Sequence, residues 1–210
     1  MGSVLQQSAS SVNIRERLDY SCAIFDAAGR LVANAPHMPV HLGSMGASVR
    51  AVMDRHAAKI RPGDAFLVNS PYAGGTHLPD LTVVSPVFLQ DSISPDFYVA
   101  SRAHHADIGG ITPGSMPPFS RSIGEEGALF EGEKIVADGV LDRSLVTQLL
   151  KRGPYPARNI PQNLADLAAQ LAANQRGAAE LSRLVSQYGS TVVSAYLHHV
   201  QSHAEKRVRA

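Results

Sequence analysis

Two short segments combine histidine, aspartate and glycine in a spacing that suits metal chemistry. The first runs from Asn69 to Asp80 (NSPYAGGTHLPD) and the second from Ser101 to Gly110 (SRAHHADIGG). Each contains one H-x-x-D pair. Imidazole and carboxylate groups together suit manganese, zinc or iron(II) better than copper(I) or an iron–sulfur cluster. The candidate ligands of one divalent ion are therefore His77, Asp80, His104 and Asp107, and hydrogen-bonded loop residues without a metal are the alternative.

Three further groups could serve the same chemistry. His37 and His41 flank Pro39, so they are either ligands or loop residues that contact substrate or backbone. Glu125 and Glu126 could act as a general base or as ligands, with a solvated acidic turn as the alternative. Glycine pairs can bring backbone N–H groups close to an anionic intermediate, which makes them candidate substrate contacts. These pairs are Gly74 with Gly75 and Gly109 with Gly110.

The elements that must position these residues fall into two regions, 12–158 and 159–210. The first is rich in glycine, proline and short β-type runs, which predict strands near 20–25, 30–33, 64–69, 81–89, 97–101 and 134–138. A helical pattern covers residues 43–60. Pro86 predicts an edge or a bend in its strand. The second region predicts two amphipathic helices separated by Gly189. We expect an α+β fold, in which an irregular mixed sheet with a packed helix precedes a C-terminal helical hairpin.

Composition restricts the class of protein. The 210 residues are 44% apolar and 18% charged, with a formal net charge of +1, so neither nucleic acid nor an anionic membrane is an expected partner. Cys22 is the single cysteine and excludes an intrachain disulfide. No apolar run approaches membrane-spanning length and the N-terminus does not resemble a signal peptide, so we expect a cytoplasmic location.

Several nucleotide-binding and nucleophile motifs do not occur. The sequence has no G-x-x-x-x-G-K-[ST] phosphate loop, no Rossmann glycine pattern after a strand and no G-x-S-x-G elbow. If the reaction uses ATP, we therefore expect another chain or domain to bind it.

Longer motifs resemble the hydantoinase B/5-oxoprolinase family, closest to the C-terminal half of 5-oxoprolinases. They comprise Arg17–Ala33, Ala35–Met45, Asn69–Asp80, Ala103–Gly110, Pro113–Pro118, Asn163–Gly177 and Tyr196–Glu205. The resemblance covers about residues 12–207. Members of the B type are considerably longer, so the expectation is a truncated or split member.

The resemblance implies ATP-dependent hydrolysis of a cyclic amide, either 5-oxoproline or a hydantoin. A hydantoinase A-type subunit or domain would use ATP and Mg²⁺ to phosphorylate the substrate carbonyl, and this chain would carry Mn²⁺ or Zn²⁺ and complete the hydrolysis. Ligands would be His77, Asp80 and His104, with Asp107 as a ligand or as a support for one; His105 is a less expected ligand. The catalytic candidates for proton transfer are Asp107, Glu125 and Glu126. We also expect an oligomer.

Two alternatives to this function stay open. The chain could be a component of a ketone carboxylase, which relatives of the family include. It could also be a non-catalytic remnant that only binds an A-type partner or a metal.

Overall fold

The structure is a computed structural model that describes residues 1–36, 38–41, 43–89 and 92–209. A seven-stranded sheet forms its centre. The strands are β1 (Tyr20–Asp26), β2 (Leu31–Pro36), β3 (Ala65–Val68), β4 (Asp80–Val87), β5 (Phe97–His104), β6 (Glu131–Ala137) and β7 (Val140–Leu141). Their order across the sheet is β2-β1-β5-β4-β3-β6-β7.

The expected α+β class is confirmed, but the sheet is not mixed. Every described pairing between strands is antiparallel. Strands β1 and β2, β4 and β5, and β6 and β7 follow one another without an intervening helix. Such short connections join antiparallel neighbours, whereas parallel neighbours need a long crossover.

In the described part of the chain, six α-helices pack around the sheet. They are α1 (Gly2–Ser8), α2 (Val12–Arg15), α3 (Met45–His56), α4 (Arg143–Leu150), α5 (Ile160–Tyr188) and α6 (Ser190–Arg209). Helix α3 and the C-terminal pair confirm the helical predictions, and Gly189, at φ 84° and ψ 147°, separates α5 from α6. Helices α1, α2 and α4 were not predicted, because each is too short to show a clear apolar period.

The alternation of side chains in the central strands divides the core into two layers. In β5, Tyr98 and Ala100 pack with α3, whereas Val99 and Ala103 pack on the opposite side of the sheet. That opposite side is covered mainly by α5, whose Leu167 belongs to the same core cluster as Leu81 and Val83 of β4. Even-numbered residues of β4 and β5 therefore face α3.

Pro86 lies in a central strand, but in a part of it that has a neighbouring strand on one side only, which agrees with the predicted local edge. Strand β4 is hydrogen-bonded to β5 along its length, where Pro86 pairs with Tyr98. On its other side, the pairing with β3 reaches only Val84. The lack of an N–H at Pro86 is tolerated because that part of β4 extends beyond the end of β3.

Within the described part of the chain, no helix combines the length and apolar character needed to cross a membrane.

Candidate metal centre

Three strand ends meet at one edge of the sheet and bring together carboxylate and imidazole groups. Asp80, the first residue of β4, is the register partner of His104, the last residue of β5. Asp19 directly precedes β1, and its carbonyl oxygen accepts the His104 N–H at 3.0 Å. Because 80 and 104 are both even positions, their side chains share the sheet face that α3 covers.

Asp80 is the centre of this group and is 1% exposed. Its Oδ2 lies 2.9 Å from His77 Nδ1 and 3.2 Å from His41 Nε2, and its Oδ1 lies 3.2 Å from His104 Nδ1. The Thr76 hydroxyl also donates to Oδ2. A buried carboxylate requires such a set of donors, since its desolvation would otherwise be very costly.

Hydrogen bonding controls ionisation at this centre. Burial opposes the charge on Asp80, but hydrogen bonds from the three imidazoles and Thr76 hold the pKa of this carboxyl far below its usual range. The hydrogen bond to Asp80 raises the pKa of His77, against the opposite effect of burial. Asp80 is therefore an anion at neutral pH.

The donor atoms fit a divalent ion. One ligand atom each from His77, Asp80 and His104 lies within 4.8 Å of the others, and so does one each from Asp19, His41 and Asp80. Two bonds of roughly 2 Å to one ion place their donors at most about 4 Å apart, and the Nδ1 atoms of His77 and His104 lie 2.9 and 3.2 Å from Asp80 oxygens. The His77 side chain is 39% exposed, so the centre opens to solvent on that side.

Asp107 lies outside both groups of donors, in contrast to the expectation that it is a ligand. Its Oδ1 accepts the N–H groups of Gly109 and Arg158, each at 3.0 Å, and its Oδ2 accepts the Gly114 N–H at 3.0 Å and Arg158 Nη1 at 2.7 Å. Burial opposes ionisation, but these hydrogen bonds lower the pKa of Asp107. The carboxylate ties the loop after β5 to the segment that precedes α5.

The two glutamates also lie outside both groups of donors. Glu125 Oε2 accepts the Arg121 N–H at 2.6 Å, and Glu126 Oε1 accepts the Ser120 hydroxyl at 2.7 Å. Both side chains stabilise the loop in which they lie. The structure therefore does not bring Glu125 or Glu126 to the candidate ligands.

His105 is buried and faces α5. Its Nε2 donates to Gln170 Oε1 at 3.1 Å, and its Nδ1 accepts from Asn163 Nδ2 at 3.2 Å. The orientation of both amides follows from their other bonds, since Asn163 Nδ2 also donates to Asp107 O and Gln170 Nε2 donates to Leu81 O. Burial lowers the pKa of His105. A neutral structural histidine accounts for all of these contacts.

Of the two histidines expected to contact substrate, the structure describes only one. His37 lies outside the described residues. His41 is buried, and its Nδ1 lies 3.1 Å from Ser21 Oγ while its Nε2 faces Asp80. Both ring nitrogens of His41 therefore contact protein side chains, and the residue does not face solvent.

The glycines of the two pairs lie where the chain packs closely against neighbouring backbone. At three of the four positions the backbone N–H donates to a protein acceptor. Gly75 donates its N–H to Ser70 O, Gly109 to Asp107 Oδ1 and Gly110 to Tyr155 O. A Cβ on Gly74, which has φ +81°, would lie 2.4 Å from Ser48 N in α3, and one on Gly75 would lie 2.0 Å from Asn69 O. These glycines allow the turn before His77 to lie directly against α3.

Arg102 was not anticipated from the sequence, yet it is fully buried beside this turn. Its guanidinium donates to Thr82 Oγ1 at 2.7 Å, to Ser48 Oγ and Gly74 O at 2.9 Å each, and to Ser44 Oγ. Burial lowers the pKa of Arg102 to about 10, and the Asp80 charge opposes this shift. Arg102 is therefore charged at neutral pH and joins β4, β5, α3 and the glycine-rich turn.

Sequence and structure comparisons agree with this architecture. The sequence model of one protein family, described as Hydantoinase B/oxoprolinase, matches residues 1–210. The chain is 48% identical over 220 residues to 5-oxoprolinase 1 of Arabidopsis thaliana, and the alignment covers 100% of this chain and 17% of that protein. The chain thus spans about a sixth of the length of this relative.

Two solved structures share the fold. The ATP-dependent caprolactamase from Pseudomonas jessenii superposes with a TM-score of 0.86 at 27% identity, covering 99% of this chain and 35% of that one. The nucleotide-free structure of acetone carboxylase superposes with a TM-score of 0.82 at 19% identity, covering 93% of this chain and 25% of that one. The second likeness is evidence for the fold alone.

Proposed function

The chain belongs to the hydantoinase B/oxoprolinase family, and from this premise we propose that it carries the metal-dependent part of an ATP-dependent cyclic-amide hydrolase. One relative is named a 5-oxoprolinase and one structural neighbour an ATP-dependent caprolactamase, and both names refer to lactams. The observation that carries the proposal is the meeting of His77, Asp80 and His104 within 4.8 Å. The substrate class is 5-oxoproline or a hydantoin.

His77, Asp80 and His104 would hold the ion, which we propose is Mn²⁺ or Zn²⁺. Asp19 is a further candidate donor, because its Oδ2 lies 3.8 Å from His104 Nδ1 and it shares the second group of donors with Asp80. A divalent ion bound there would supply Lewis-acid polarisation of the substrate carbonyl. Substrate would approach from the side of His77, which is the exposed member of the set.

ATP belongs to the other half of the proposed reaction. An amide resists hydrolysis because its nitrogen donates electrons into the carbonyl, and phosphorylation of the carbonyl oxygen removes that donation and supplies a leaving group. Phosphoryl transfer requires a positioned Lys or Arg and magnesium around the nucleotide, and the sequence has no phosphate loop to provide them. We therefore propose a hydantoinase A-type protein as the partner that binds ATP.

This division of labour predicts the behaviour of the chain with nucleotide. Isothermal titration of the chain alone with Mg–ATP should show no binding in the micromolar range. Micromolar binding would show that the two halves of the reaction have been assigned to the wrong proteins.

The test of the function is a reconstituted reaction. The chain, an A-type protein, Mn²⁺, Mg–ATP and 5-oxoproline or hydantoin are combined, and ring-opened product is quantified together with ADP. Product should require all components and should be lost with His104→Ala. ADP without ring-opened product from either cyclic amide would contradict the proposal, and consumption of bicarbonate with a ketone would favour a carboxylase instead.

A further inference from the structure

His41 has no role in the proposed reaction, although it is among the most buried polar residues of the chain. It ends the 3-10 turn Pro39–His41, which lies between β2 and α3, and its side chain is 1% exposed. A buried imidazole in contact with a candidate ligand is either a ligand itself or a support for one.

The contact with Asp80 shows that Nε2 of His41 carries a hydrogen. Nε2 lies 3.2 Å from Asp80 Oδ2, and an ionised carboxylate oxygen can only accept, so Nε2 carries the hydrogen and donates it. Nδ1 lies 3.1 Å from Ser21 Oγ. Ser21 comes from β1, and its hydroxyl also lies 3.4 Å from Met38 O. Ser21, His41 and Asp80 therefore form one hydrogen-bonded chain from β1 to β4.

We propose that His41 is a positioning residue that fixes the orientation of the Asp80 carboxylate, with Ser21 holding the imidazole ring. The inference rests on the proposed metal centre. Asp80 offers two oxygens, of which Oδ1 faces His104 and Oδ2 faces His77. A donor on Oδ2 from the buried side limits rotation of the carboxylate about its Cβ–Cγ bond. It thereby keeps the oxygens directed toward the two candidate imidazole ligands.

The geometry favours this role over that of a ligand. As a ligand for a second ion with Asp19 and Asp80, His41 would have to use the same Nε2 without its hydrogen. Asp80 would then lose a buried hydrogen-bond donor. Hydrogen bonds that orient a metal ligand commonly contribute about 10–100-fold to metal affinity.

The test measures Mn²⁺ affinity and stoichiometry in the 210-residue chain, by electron paramagnetic resonance of free Mn²⁺. His41→Phe keeps a planar ring but cannot donate, and we expect it to weaken binding about 10–100-fold at an unchanged number of ions. His41→Gln, whose amide can still donate to Asp80, should restore most of the affinity. His56→Phe is the control, because His56 is part-buried and, like His41, hydrogen-bonded, here to Gly132 O at 2.7 Å at the other end of α3.

Each outcome has one interpretation. Unchanged affinity in folded His41→Phe would overturn the inference, and so would the loss of one of two bound ions, which would make His41 a ligand. If His41→Phe does not fold, Ser21→Ala is measured in its place. Ser21→Ala should weaken Mn²⁺ binding several-fold more than His56→Phe does. Equal effects of Ser21→Ala and His56→Phe would overturn the inference. A wild-type chain that binds no Mn²⁺ or Zn²⁺ would instead contradict the metal centre itself.

Discussion

Replacing Arg102 with methionine tests whether a buried guanidinium holds the glycine-rich turn against helix α3. Methionine approximates the length and volume of the arginine stem but makes none of its hydrogen bonds. The guanidinium donates to Thr82, Ser44, Ser48 and Gly74. Gly74 O would keep one donor, the Ser48 hydroxyl at 2.8 Å. The other three groups would lose a charged partner inside the protein.

The expected loss follows from these contacts. Hydrogen bonds to charged groups contribute about 1.5–3 kcal/mol each, but removal of the guanidinium also removes its desolvation penalty. We therefore expect Arg102→Met to lower the free energy of unfolding by about 2–4 kcal/mol in total. In a domain of this size each kcal/mol lowers Tm by about 2–4 °C, so Tm should fall by roughly 5–15 °C.

Circular dichroism during thermal and urea unfolding measures both quantities. Arg55→Met is the matched control, since Arg55 is 48% exposed and its two ion pairs, to Glu131 and Glu133, are each 3.9 Å long. Exposed pairs of this kind contribute at most about 1 kcal/mol. If Arg102→Met were no more destabilising than Arg55→Met, the proposed role of the guanidinium would be refuted.

Three further predictions concern other parts of the chain. Burial raises the pKa of the Cys22 thiol to about 12 from its ordinary value of 9.0, so native protein should resist alkylation at pH 8. Between these two pKa values only the unfolded chain loses the thiol proton. The free energy of unfolding should therefore fall as the pH rises through that range, by up to about 1.4 kcal/mol per pH unit more than in Cys22→Ala. Urea unfolding at several pH values measures this difference. Gly75→Ala should lower stability in urea unfolding by about 1–3 kcal/mol through overpacking against Asn69 O, whereas Gly124→Ala, with nothing within 4 Å of its Cβ, should not. Asp107→Asn should lower stability by about 1–3 kcal/mol through its lost ion pair with Arg158, yet elemental analysis should find an unchanged metal content.

The two H-x-x-D segments made His77, Asp80 and His104 candidates from the sequence, and the family resemblance implied that they share one site; the structure brings their donor atoms together. Each H-x-x-D segment lies next to a strongly apolar run of strand length. When two such strands pair as antiparallel neighbours, the end of one lies beside the start of the other. The structure has this arrangement, with Asp80 opposite His104.

The same three-residue spacing led to the expectation that Asp107 is a metal ligand, but the structure places Asp107 away from the other candidate ligands. The three-residue separation from His104 resembles that of His77 and Asp80, but β5 ends at His104 and the chain then turns away. Asp107 bonds to Arg158, 51 residues later. A local sequence pattern cannot predict a contact of this kind, because the contact depends on where the segment before α5 crosses the loop after β5.

Asp19 and Arg102 were not identified from the sequence, and the contact of His41 with Asp80 was not predicted, for a related reason. Their places depend on strand order and register, which put β1 beside β5 and α3 over both. A single sequence shows which residues alternate along a strand but not which strands become neighbours.

Helix α5 shows how hydrophobic pattern alone misplaces a buried face. Ala168 and Leu184 of this helix are apolar but exposed. The buried face instead includes Gln170 and Asn174, whose amides donate to carbonyl oxygens of β4 and β5. The spacing of apolar residues along a helix does not identify buried polar residues that hydrogen-bond to a sheet backbone.

The metal content of the purified chain tests the central claim most directly. We expect about one Mn²⁺ or Zn²⁺ per wild-type chain by elemental analysis after dialysis, and most of it should be lost in His77→Ala and in His104→Ala, because an ion that loses one of three or four ligands is weakly held. His56→Ala, which removes a histidine outside the candidate centre, should keep the wild-type content. Full occupancy in both ligand variants, or no bound ion in the wild-type chain, would contradict the account.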